Sequence, residues 1–147
     1  MKNKVGIYPG SFNPFHKGHL DLVKTLLREK ICDEIIIVPT PNYWDKQNLP
    51  SQVDRGCFIQ KVLFETGSNI DRRIHVWTPR AERTLEMLGE IARMNPEDDR
   101  DTYSLIIGAD NVKDFNKWKD YEKIIDNYEI IVVGRGVKPD MSLFKNY

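Results

Sequence analysis

Cysteine is scarce in this chain: there are two in 147 residues, Cys32 and Cys57. One such pair makes neither a disulfide framework nor a zinc-type spacing, so the thiols read as small hydrophobes in a reducing compartment. Net charge is missing too. Lys and Arg total 22, and so do Asp and Glu. That balance removes the bulk electrostatic case for a nucleic-acid or membrane partner. No run of about 18 apolar residues occurs. The opening Met1-Lys2-Asn3-Lys4 leads straight into a strand-like segment rather than a signal-peptide core. A cytoplasmic protein without a membrane span is therefore expected. Repeats, linkers and low-complexity stretches are also lacking, and the length suits one domain over residues 1–147.

What is present is an ordinary globular composition, 40% apolar and 30% charged, able to bury a core without staples. Val5-Gly6-Ile7-Tyr8 reads as a first strand. Leu20, Val23, Leu26 and Leu27 then recur at helical spacing. Ile35-Ile36-Ile37-Val38 is a β-branched run of the kind buried on both sheet faces. Ser51 reads as an N-cap, with Asp54 three residues on, opening a helix that carries Val53, Phe58, Val62 and Leu63. Gly67-Ser68-Asn69 closes it. Ile74-His75-Val76-Trp77 is a third strand. Thr78-Pro79 starts a helix with Ala81, Leu85, Leu88, Ile91 and Ala92 as its stripe. Tyr103 to Ile107 and Tyr128 to Val133 are the fourth and fifth strands. Short helical stretches at about Val112 to Phe115 and Tyr121 to Ile125 lie between them.

Strands alternating with helices at this spacing predict an α/β fold with a mostly parallel five-stranded sheet. Ligands of such sheets bind beyond the carboxyl ends of the strands, where the strand order reverses. If strands one and four are neighbours there, His16, His19 and Asp110 share one crevice.

The most informative stretch is Gly10-Ser11-Phe12-Asn13-Pro14-Phe15-His16-Lys17-Gly18-His19, between the first strand and the first helix. A helix start attracts anions, phosphate above all. Gly10 and Gly18 allow close approach of the main chain. Ser11, His16, Lys17 and His19 supply donors. The two histidines lack a Cys or carboxylate partner for zinc, so no protein-held metal is expected.

This stretch resembles the signature of the HxGH nucleotidylyltransferase superfamily, and Gly108-Ala109-Asp110-Asn111 followed by Trp118 resembles the second signature of its bacterial nicotinate-nucleotide adenylyltransferases. The resemblance implies a Rossmann-like three-layer sandwich. It implies transfer of AMP from ATP to nicotinate or nicotinamide mononucleotide, with Mg²⁺ and release of pyrophosphate. The acceptor phosphate would attack the α-phosphorus directly. ATP would meet Gly10, Ser11, Phe12, His16, Gly18, His19, Gly108 and Asp110. His16, His19 and Lys46 would be the catalytic residues, and Trp118, Thr84 and Arg135 would hold the acceptor, its pyridine stacked on the Trp118 indole.

Arg55 resembles a family arginine early in the helix after the second strand. Each single-residue match has a plainer alternative: a core aromatic for Trp118, a solvated loop cation for Lys46, a surface salt bridge for Arg55. Ala81 and Arg83 replace the first two functional positions of the family's Thr-x-Asp-Thr-Leu segment. Gly136 stands where its Arg-Pro-Gly turn has proline. Nothing after Arg135 matches the family's late Ser-Ser-Thr-x-x-Arg segment. Alternative readings are a pantetheine-phosphate adenylyltransferase, which usually has Thr at the position of His16, a cytidylyltransferase, or a nucleotide-binding module without turnover. The oligomeric state is left open, a homo-oligomer included.

Overall fold

The computed structural model describes residues 3–10, 12, 14–40, 51–78, 88–89, 101–108 and 121–133. Five strands form one sheet: β1 (Asn3–Gly10), β2 (Glu34–Pro39), β3 (Ile74–Val76), β4 (Asp101–Gly108) and β5 (Glu129–Val133). Their order is β3-β2-β1-β4-β5, and all four pairings are parallel. Helix α1 (Lys17–Arg28) follows β1, α2 (Gln52–Glu65) follows β2, and α3 (Tyr121–Asn127) precedes β5.

Alternation along each strand sends side chains to two separate cores. One face carries Tyr8, Ile35, Ile37, Ile74 and Ile106, packed against Leu20, Val23, Leu26 and Leu27 of α1 and Ile59 and Leu63 of α2. The other carries Val5, Ile7, Val38, Leu105, Ile107 and Ile130, packed against Leu88 and against Ile124 and Ile125 of α3. The fold is thus a helix-sheet-helix sandwich, as the alternation of elements predicts. Gly6 serves the first core by absence. A Cβ there would lie 2.7 Å from Ile106 Cδ1 and 2.8 Å from Cys32 Sγ, so glycine lets both side chains close over β1.

Chain order sets where the sheet reverses. β1, β2 and β3 step outward one way, whereas β4 returns to the far side of β1, with Val5 opposite Tyr103 and Ile7 opposite Leu105. Strands one and four are therefore neighbours, and the exits of Gly10 and Gly108 lie on the same edge of the sheet.

Two helix details follow the sequence and one does not. Ser51 is the N-cap of α2, its Oγ accepting from the Asp54 N–H at 3.0 Å. Gly67, at φ 73°, takes the left-handed position just past the helix end. The buried stripe of α2 is shifted, however. It consists of Arg55, Gly56, Ile59 and Leu63, whereas Val53 and Phe58 are exposed. Residues 55, 59 and 63 are spaced four apart, and that row meets the sheet. Of the helix expected from Thr78-Pro79, Leu88 is helical and fully buried. Ala81, Leu85, Ile91 and Ala92 lie outside the described residues, as does the stretch at Val112 to Phe115.

Candidate active site

The site is built where β1 gives way to α1. His16 is the N-cap of α1, in an extended conformation. Its Nδ1 accepts the Gly18 N–H at 3.1 Å. In return, His19 Nδ1 accepts the His16 N–H at 3.0 Å. This is a reciprocal capping box, normally made by Ser or Thr with Glu or Gln at the same three-residue spacing. Here histidines fill both places.

The box has a chemical consequence. An imidazole that accepts at Nδ1 carries its one proton at Nε2 when neutral. Both rings are therefore set as Nε2–H donors, at a helix start whose dipole favours anions. The two rings stack, centroids 3.8 Å apart and 28° between planes. His16 is exposed and His19 half-buried.

An aromatic cluster lies against them. Phe15 stacks on His19 at 5.3 Å and 20°. Phe12 meets His19 edge-on at 5.1 Å and 88°. The Phe12 side chain is buried, so a nucleotide could reach this residue through its backbone but not through its ring. Leu20 and Val23 anchor the inner face of α1 in the same core.

The edge is also stapled to its neighbour. The Thr40 N–H, at the exit of β2, donates to Gly10 O at 2.9 Å. Gln52 Nε2 donates to Pro39 O at 2.7 Å, and the Arg55 guanidinium donates to Thr40 O. Arg55 is 2% exposed. The guanidinium is thus buried and clamps the backbone at the exit of β2. Burial pulls the Arg55 pKa below its ordinary value, yet a guanidinium stays charged under such shifts.

Of the residues expected to meet nucleotide, Gly10, Phe12, His16, Gly18 and His19 come together at this one turn, and Gly108 ends the neighbouring strand β4. Ser11, Lys46, Thr84, Asp110, Trp118 and Arg135 lie outside the described residues. Among the described residues, no group of three or more His, Cys, Asp and Glu side chains converges to hold a metal ion, and no helix is long and apolar enough to cross a membrane. The donors on show suit an anion. The burial of Arg55, its bond to Thr40 O and the aromatic cluster are what sequence reasoning missed. The His-x-x-His spacing was the available signal for the capping box, since it is the spacing of the box itself.

Residues 7–145 match the cytidylyltransferase-like family. The chain belongs to that family of nucleotidyltransferases. Among its relatives is a probable nicotinate-nucleotide adenylyltransferase of Christiangramia forsetii, 34% identical over 137 residues, covering 92% of this chain and 69% of that protein. Another of the same name, from Cytophaga hutchinsonii, is 30% identical and covers 95% of this chain and 70% of its own. The expected kinship with nicotinate-nucleotide adenylyltransferases therefore holds. A Plasmodium falciparum nicotinic acid mononucleotide adenylyltransferase, solved in complex with NaAD, superposes with a TM-score of 0.82. It is 21% identical, and the match covers 99% of this chain and 73% of that one. That likeness bears on the family's fold, and it agrees with the parallel sandwich described above.

Proposed function

We propose that this nucleotidyltransferase moves AMP from ATP to nicotinate mononucleotide, forming the dinucleotide and pyrophosphate in NAD biosynthesis. The observation that carries the reading is the two-histidine capping box beside the β1/β4 reversal. It provides two Nε2–H donors at a helix start where a triphosphate would lie. The relatives' shared name supplies the acceptor.

The chemistry needs no protein nucleophile. A phosphate oxygen of the mononucleotide attacks the α-phosphorus of ATP. The bond from that phosphorus to the bridging oxygen breaks, and pyrophosphate leaves with the electron pair. Negative charge grows on the non-bridging and leaving oxygens, and His16 and His19 stabilise it by donating from Nε2. Mg²⁺ enters with ATP as part of the substrate and neutralises phosphate charge there. Lys46 and Ser11 add donors to the phosphates, Asp110 faces the adenosine, and Trp118, Thr84 and Arg135 hold the acceptor. These six assignments rest on the sequence signatures. Two free thiols, Cys32 and Cys57, agree with a cytoplasmic setting.

The test is a pyrophosphate-release assay with ATP, and in parallel with CTP, against a panel of nicotinate mononucleotide, nicotinamide mononucleotide, phosphopantetheine and choline phosphate. Nicotinate mononucleotide should give the highest kcat/KM. His19→Ala should lower turnover by on the order of 100-fold or more. Unchanged turnover in that variant would overturn the mechanism. ATP binding by calorimetry, with no pyrophosphate from any acceptor, would leave a binding module instead.

A further inference from the structure

Phe12 has a backbone and a side chain that a mere space-filling role does not require. It sits at φ 44°, the left-handed region that non-glycine residues rarely occupy. A bulky residue there stores strain, and such strain persists where the surroundings over-determine it, often at functional sites. The neighbouring sequence accommodates the ring as well. A Cβ on Gly10 would lie 2.9 Å from two atoms of the Phe12 ring, so glycine is what lets the ring fold back over the end of β1.

The ring so placed is 4% exposed and meets three others edge-on: Tyr8 at 5.2 Å, Phe15 at 5.4 Å and His19 at 5.1 Å. Edge-to-face contacts have a defined geometry, unlike contacts between aliphatic groups. The His19 ring is thereby held by Phe12 at one angle and by the Phe15 stack at another. Its Nδ1 is tied to the His16 N–H. With ring plane and Nδ1 both fixed, the direction of the Nε2–H bond is fixed too.

We propose that Phe12 is a positioning residue: its edge-on contact holds the His19 ring in the plane in which Nδ1 accepts the His16 N–H, so that Nε2–H is presented to the nucleotide phosphates. The phosphate target rests on the adenylyl-transfer reading above; the constraint on the ring does not.

The experiment compares Phe12→Leu with wild type, with Phe12→Met as the second variant if the first does not fold. Both keep an apolar side chain and lose the flat edge. The first readout is the pair of ¹⁵N shifts of each histidine side chain at about pH 8, above the ordinary imidazole pKa. The chain has three histidines, so His75 serves as internal reference. Wild-type His19 should show protonated Nε2 and bare Nδ1, and the variant should show the two nitrogens moving toward an average. The second readout is kinetic. kcat should fall by about tenfold or more, the scale of a small misplacement of a reacting group, while KM for ATP stays within about twofold. Leu63→Ala, a core truncation on α2, is the control: it should lower the thermal midpoint at least as far yet leave kcat within about twofold. A variant that keeps the wild-type His19 shifts, or one that keeps kcat where wild type turns over, would overturn the proposal. If no acceptor supports turnover, averaged His19 shifts still support the positioning role, and only the adenylyl-transfer reading fails.

Discussion

Replacing His16 by alanine and, in parallel, by serine separates its two roles. Its Nδ1 caps α1 by accepting the Gly18 N–H, and in the proposed reaction its Nε2–H donates to phosphate. Alanine removes both. Losing an N-cap costs about 1 kcal/mol, which for a chain of this size lowers Tm by about 2–5 °C. Serine is a good N-cap and should recover most of that loss, to within about 0.5 kcal/mol. Neither change touches the bond that sets His19, because the donor there is the backbone N–H of residue 16. Turnover should therefore fall by a similar factor in both variants, on the order of 100-fold, since both lose the same donor. Thermal denaturation and the pyrophosphate assay read the two effects separately. Serine restoring turnover to near wild type would refute the donor role. Equal Tm values for the two variants would refute the cap.

Two further outcomes follow from buried groups. Arg55→Ala should destabilise by about 2–4 kcal/mol in urea unfolding, because it strands the Thr40 carbonyl and empties a packed site; a loss under about 0.5 kcal/mol would contradict the buried clamp. Burial pushes the Cys32 thiol up to about 11, with Lys4 opposing and Glu129 and Asp33 adding to the rise, whereas Cys57 is exposed. Ellman's reagent at about pH 8 should therefore titrate Cys57 quickly and Cys32 only after denaturation. Because the unfolded thiol ionises first, stability linked to Cys32 is full below the ordinary thiol value of 9.0 and is lost as pH rises through about 11. Rapid labelling of both thiols in the native protein would contradict that burial.

Much of this fold could be read from short-range pattern. The α1 stripe of Leu20, Val23, Leu26 and Leu27 needs only the 3.6-residue period, and all four are buried. The Ser51 cap needs only a side chain three residues from a backbone N–H. Strands rich in β-branched residues on both alternate positions imply cover on both faces, and two cores are present. The His16-Lys17-Gly18-His19 pattern set the start of α1 for the same local reason, the two rings capping it at three-residue spacing.

What the pattern could not decide were relations between distant segments. β1 pairs with β4, almost a hundred residues later, and that adjacency puts the carboxyl ends of the two strands on one edge of the sheet. Arg55 shows the same limit. Sequence left a family role and a surface salt bridge both open for it; the row that meets the sheet is the one it belongs to, and the carbonyl of Thr40 receives it. Local sequence determines which faces a helix or strand offers. Which face is chosen depends on the fit against elements elsewhere in the chain, and here that choice buried an arginine against the exit of β2.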